Sequence, residues 1–134
     1  MLKFTSLLRR SFMSSLVLLV FLVGFVVPAS AVDFLRTIQD IPLPEGFAEQ
    51  KLAVEFDTPF GRIVETSAWG QGSAEETGYF FRESLPAFGW VFLEEPLVFE
   101  RREERLHINL GDEDGRVRVG FKLVVRPASS IMEE

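Results

Sequence analysis

His107 is the only histidine in the 134-residue chain, and there is no cysteine. Those two counts remove much of the chemistry open to a small protein. Thiol nucleophiles, thiolate metal sites and cysteine redox switching are excluded, and a zinc site has no second imidazole to draw on. Leu106, Ile108 and Leu110 alternate with Arg105, His107 and Asn109, which puts the imidazole on the solvated face of a strand. A hairpin reading places it near Gly120 or Arg118, a polar and basic setting that disfavours a bound metal ion and a general base. No Gly-x-Ser-x-Gly elbow accompanies it, so a serine hydrolase site has neither nucleophile nor oxyanion hole. No catalytic residue, no metal ligand and no cofactor is expected.

The carboxylates are numerous but poorly placed for catalysis. Glu94 and Glu95 sit just before Pro96, and Glu103 and Glu104 lie in a polar turn; both pairs read as solvated loop charges. Asp112, Glu113 and Asp114 between Gly111 and Gly115 could offer oxygens to Ca²⁺, yet they lack the twelve-residue ligand spacing of a calcium loop and read as a polar hairpin tip. The cations are more ordered. Arg116, Arg118, Lys122 and Arg126 alternate with Val117, Val119, Phe121, Leu123 and Val125, so they share the outer face of the last strand, with Arg105 on the strand beside it. Such a stripe either solubilises and protects a strand or contacts an acidic partner. Trp69 and Tyr79, with Phe80, form a second candidate surface, since exposed aromatics are enriched at interfaces; burial under the N-terminal segment explains them equally well.

The first residues carry an address. Lys3, Arg9 and Arg10 precede an apolar run from Leu16 to Val27, Pro28 ends any helix, and Ala29 and Ala31 are small residues at the −3 and −1 positions of a signal-peptidase site. A bilayer span needs roughly 20 apolar residues, which this run does not reach. Residues 1–31 are therefore expected to be a cleavable signal peptide and the protein to be periplasmic. The alternative is an inner-membrane anchor formed by residues 12–28, the one case in which a membrane would be a partner. Beyond residue 31 there are eleven basic and twenty acidic side chains, a net charge of −9. That field repels nucleic acid, which is excluded as a partner.

The remaining elements are read from periodicity. Residues 32–48 form an arm in which Pro42 and Pro44 favour an extended path. It is either a simple lead-in loop or a strap over the core anchored by Ile41, Leu43 and Phe47. Residues 49–127 form the domain and 128–134 a tail. Leu52, Val54 and Phe56 alternate as in a half-buried strand, Asp57 to Gly61 reads as a turn, and Arg62 to Trp69 as the return strand. Ser73 with Glu76 three positions on is a capping box, and Thr77, Gly78, Phe81 and Leu85 share one face of the helix it starts. Pro86 ends that helix and Gly89 suits a left-handed cap. Trp90 to Leu93 resumes a strand that is interrupted at Glu94 to Pro96 and continued by Leu97 to Arg101, and two well-patterned strands come after it. The expected fold is α+β: a two-layer sandwich of a five-stranded, mostly antiparallel sheet in the order β-β-α-β-β-β, with one helix on one face.

Asp40 to Phe47, Phe56 to Pro59 with Gly61 to Glu65, and Leu85 to Trp90 together resemble an uncharacterised family of small exported proteobacterial proteins. The resemblance implies an α+β domain in the periplasm. That family has no assigned activity, so no residue role is carried over. On these grounds the chain is expected to be a non-enzymatic envelope protein, a small interaction module for an envelope protein or polysaccharide. The alternative is a small-ligand-binding domain with its pocket between helix, sheet and N-terminal arm. Export makes the first testable prediction: intact mass spectrometry of the exported protein should find a species that begins at Val32, and a mass retaining residues 1–31 would refute cleavage.

Overall fold

A computed structural model describes residues 31–94 and 96–127. Most of the expected signal segment, including Ala29, and the expected tail lie outside the described residues. The compact unit that begins at Val32 contains every described strand and helix.

The described residues form an α+β fold with one seven-stranded sheet and one α-helix. The strands are β1 (Ala48–Glu49), β2 (Val54–Thr58), β3 (Gly61–Gln71), β4 (Val91–Glu94), β5 (Val98–Arg101), β6 (Glu104–Glu113) and β7 (Arg116–Val125). The helix α1 spans Ala74–Ser84 and continues as a 3₁₀ helix over Leu85–Phe88. The sheet order is β1-β3-β7-β6-β5-β4, with β2 also on β3, and every pairing is antiparallel.

Seven strands replace the expected five because the pairing breaks at two places, the first between β1, which lies at the end of the expected arm, and the expected first strand. β1 pairs Ala48 with Trp69, whereas β2 pairs Val54 with Glu65. Residues 50–53 thus insert two extra positions along one edge of β3, which breaks the alternation that seemed to run through Leu52. The second division is at Pro96. The chain does not continue past it as one interrupted strand; it reverses, so that β4 and β5 become antiparallel neighbours, with a register shift between Phe92 and Glu94. A proline with no N–H to donate is compatible with the reversal and not with a ladder interior.

The β6–β7 connection is tighter than the expected five-residue loop. The strands pair as far as Glu113 with Arg116, leaving Asp114 and Gly115 at φ 51° and 74°. Both central residues lie in the left-handed region, as a type I′ hairpin turn requires. The register therefore sets His107 opposite Lys122 and Asn109 opposite Gly120.

The helix starts as its cap predicts. Ser73 Oγ accepts from Glu76 N at 3.2 Å, and Asp112 Oδ1, reaching over from β6, accepts from Ala74 N at 3.2 Å. Two donors that a helix N-terminus leaves unpaired are thereby met, one by an anion favoured by the helix dipole. Thr77, Gly78 and Phe81 are the buried residues of α1, and Phe81 packs edge-on against Phe121 of β7, ring centres 5.6 Å apart. The α-helix ends at Ser84, before Pro86, and Gly89 at φ 83° closes the 3₁₀ helix.

The arm is a strap, not a lead-in. Leu35, Ile38, Ile41, Leu43 and Phe47 all belong to the buried core, together with Val64, Ala68, Leu106, Ile108, Val117, Val119 and Phe121 from the sheet. Nor is its path simply extended. It doubles back through Asp40 (φ 61°), with Leu35 N donating to Ile41 O at 2.9 Å and Leu43 N to Asp33 O at 2.7 Å. Phe47 ends the strap lying on Gly70, where any β-carbon would overlap its ring. Gly70 is therefore needed for close approach rather than for backbone freedom.

Two polar residues fasten the strap. Glu49, whose side chain is only 5% exposed, accepts from Arg36 N at 2.7 Å, Thr37 N at 3.3 Å and Thr66 Oγ1 at 2.9 Å. Burial is the largest single influence on its pKa and raises it. The hydrogen bonds from Thr37, Arg36 N and Thr66 together outweigh burial and hold the carboxyl below its ordinary value. At the other end of the sheet Arg101 lies over the Trp90 ring at 4.4 Å. It donates to Glu104 Oε2 (2.9 Å), Asp40 Oδ2 (3.2 Å) and the Phe88 carbonyl (3.1 Å).

Because the folded-state pKa of Glu49 is depressed, its contribution to stability is full above the unfolded-state value and disappears as pH falls through the folded-state value. Glu49→Gln is expected to cost about 2 kcal/mol at neutral pH, the scale of hydrogen bonds to a charged acceptor. It should also flatten the loss of stability on acidification. Urea denaturation between neutral pH and about pH 3 checks both; equal acid sensitivity in variant and wild type would refute the assignment.

Candidate functional site

In an antiparallel ladder, directly opposed residues share a face, so the registers define the side of the sheet turned away from α1. One row runs Phe56, Ile63, Val124, Arg105, Glu100, Val91; the next runs Val54, Glu65, Lys122, His107, Val98, Glu94. Beyond them lie Ser67, Gly120 and Asn109, then Trp69 with Arg118, then Gln71 with Arg116 and Glu113. All five expected cations are on this face or at its margin, and the strand that carries most of them is central, between β3 and β6. The stripe is therefore not edge protection.

The stripe divides into two electrostatic halves. Lys122 Nζ pairs with Glu65 at 3.2 Å. Arg105 and Arg126 share the Glu100 carboxylate at 3.8 and 2.7 Å. Arg116 and Arg118, by contrast, make no ion pair among the described residues. Both guanidinium groups instead lie over the Trp69 ring, 5.3 and 5.7 Å from its centre, where the ring quadrupole attracts them without neutralising them. Exposed ion pairs are worth little, typically below about 1 kcal/mol, but they cancel the local field. The cationic field of this face therefore concentrates at Trp69.

Around that triad the surface is shaped. A cleft of about 160 Å³ lies between Gly46, Trp69, Gly70, Gln71 and Arg116. The Trp69 Nε1–H is out of solvent and unpaired. On the other side of Arg118 is a depression of about 410 Å³ whose margin includes Leu52, Val54, Ser67, Asn109, Gly120 and Lys122. It exists because Ser67 and Gly120 are small where their neighbours are long. Ser67 is tied down by donating to Gln50 Oε1 at 3.0 Å, and the exposed Leu52 and Val54 give the depression an apolar wall.

Tyr79 does not join this group. It is 67% exposed on α1 and borders a separate groove between the helix and β6. Phe80 is half-buried against the core. His107 is half-buried between Lys122 and Val98 in its row. The three acids at the hairpin do not converge: Asp112 caps α1 while Glu113 lies on the opposite face. No cluster of three or more metal-ligating side chains occurs among the described residues. Between arm, 3₁₀ helix and sheet there is a polar cleft of about 680 Å³ at Gln39, Asp40, Phe88, Gly89 and the Arg101–Glu104 turn; Arg101 spans it.

Sequence reading missed Ser67, Asn109 and Gly120 as a floor, and Glu65 and Glu100 as counter-ions. Their roles depend on the β3–β7 and β5–β6 registers, and the first of these joins segments far apart in the chain. No family model, curated protein or solved structure matches the chain.

If Arg116 and Arg118 are held for a partner and not for the fold, replacing both by Ala should change unfolding free energy by less than about 1 kcal/mol, as for exposed positions generally. Urea denaturation decides this; a loss of several kcal/mol would make the pair structural.

Proposed function

We propose that the chain is an exported, non-enzymatic envelope protein, a small interaction module. In this reading α1 and the arm form one layer, the sheet the other, and the open sheet face meets the partner. The observation that carries it is the pair Arg116 and Arg118 on Trp69, unneutralised in a chain whose net charge past residue 31 is −9. Two exposed guanidinium groups beside a small cleft fit carboxylates. The apolar wall at Leu52 and Val54 fits a polypeptide better than a polysaccharide. The partner is therefore an acidic segment of another envelope protein.

A second reading, a small-ligand-binding domain, draws on the polar cleft between Asp40, Phe88 and Arg101. The two separate by charge reversal. Arg116→Glu with Arg118→Glu should reduce recovery of crosslinked acidic protein partners from the native envelope at least tenfold, read by mass spectrometry of the tagged protein. Undiminished recovery, or crosslinks to polysaccharide alone, would overturn the reading.

A further inference from the structure

The sheet has a second exposed apolar region, on the edge opposite β1 and β2. β4 is the terminal strand and, among the described residues, is paired only with β5. Its Val91, Phe92 and Leu93 are 62%, 39% and 43% exposed, three consecutive large apolar side chains with no charge until Glu94. Natural sheets usually blunt such an edge with charges, proline or a covering segment. The β2 edge does so by interleaving Glu55 and Asp57 with its apolar residues; β4 is blunted only at its end, by a register shift after Phe92 and by Glu94, and leaves its apolar residues uninterrupted before that.

Beside that edge, on the α1 side, runs the groove of about 630 Å³. Gly78, Leu97, Ile108 and Leu110 form its floor, and Tyr79 and Pro96 rise at its margin. Gly78 keeps the helix low there: a β-carbon at this position would stand 3.2 Å from Leu110 Cδ1. The groove comes nearest to β4 at Arg82, which lines it and lies over the Phe92 ring at 5.4 Å, that ring being 5.5 Å from Phe99. A free strand edge alongside an apolar groove is the arrangement of β-strand addition, in which main-chain bonds hold an extended peptide and alternate side chains enter pockets.

Charge selects the occupant. Glu75 and Glu76 border the groove and Glu94 ends the strand, and none of the three makes an ion pair among the described residues. Arg82 is the one cation bordering the groove among the described residues. A second copy of the chain would bring its own Glu94 and its net charge of −9 to the seam, an unfavourable meeting of like charges. We infer that the β4 edge and the adjoining groove bind an extended polypeptide segment in which apolar and basic residues alternate. Alternation turns its apolar side chains to the groove and its cations to the other face, where Glu94 ends the outer row. The register shift after Phe92 limits the ladder to a few residues, so the groove supplies much of the selectivity.

The test uses two ten-residue peptides, one of alternating valine and lysine and one of alternating valine and glutamate, titrated into the folded protein and followed by amide NMR. The lysine peptide should bind at least tenfold more tightly, with shifts and slowed amide exchange confined to β4, Leu97 and α1. Tyr79→Asn with Leu93→Asn, both at exposed positions, should weaken it at least tenfold and leave the core spectrum unchanged. Equal affinity for the two peptides, shifts centred on Trp69, or a β4-dependent dimer in sedimentation would each overturn the inference. The Arg116→Glu, Arg118→Glu variant should bind the lysine peptide as wild type does, which keeps this site separable from the open sheet face.

Discussion

One helix is too narrow to close the inner face of this sheet. An α-helix covers about 10 Å, while six strands abreast at roughly 4.8 Å spacing present more than twice that width. The arm supplies the missing cover. Leu35, Ile38, Ile41, Leu43 and Phe47 are as fully part of the core as Phe81 and Leu85. A strap without regular secondary structure has few ladder bonds to hold it, so its polar fastenings matter more than they would for a strand. Glu49 takes two strap amides at one place, and Arg101 joins Asp40 to the end of α1 and to Trp90 at another. Glu49 is shielded, so its bonds are costly to leave half-made; the Arg101–Asp40 pair is open to solvent on the Asp40 side and is the weaker fastening.

The two faces of the sheet illustrate what period-2 patterning specifies and what it leaves open. Alternation along β6 and β7 assigns Leu106, Ile108, Val117, Val119, Phe121 and Leu123 to the core, and all are buried. The same alternation collects the cations on the other face. It says nothing about which of them meet a carboxylate, because that depends on which strands lie alongside. Glu65 reaches Lys122 only through the β3–β7 ladder, and Glu100 reaches Arg105 through β5–β6. A stripe that looks uniform in sequence becomes a neutralised half and a cationic half.

Legibility tracks sequence distance elsewhere too. The helix, its Ser73 cap, its end before Pro86 and the Gly89 reversal are local events, and each is readable from adjacent residues. Burial of the arm is only one of two paths its residues allow, since prolines constrain the backbone without saying what it lies on. Val54 and Phe56 alternate like half-buried residues, but both are exposed on an edge strand with no further strand beyond it among the described residues. The Asp114–Gly115 turn is in plain view in the sequence. Taking the flanking acids as loop moves the expected register, and with it the neighbours of His107. Strand number fails at Leu52 and Pro96, where a bulge and a reversal leave composition almost unchanged.

The sheet order has a consequence for how the domain assembles. β1, β2 and β3 pair among themselves, and β4 through β7 form a meander in which each strand meets its successor. These contacts are local and close short loops. The β3–β7 ladder alone joins the two halves, pairing residues 62–71 with 125–116 across the helix and the whole meander. Chain entropy makes that closure the slow event, since non-local pairing must order the intervening chain before its contacts are gained. The topology therefore predicts separately nucleating halves whose docking along β3 and β7 is the slow step, and makes that ladder the seam on which the domain is committed or lost.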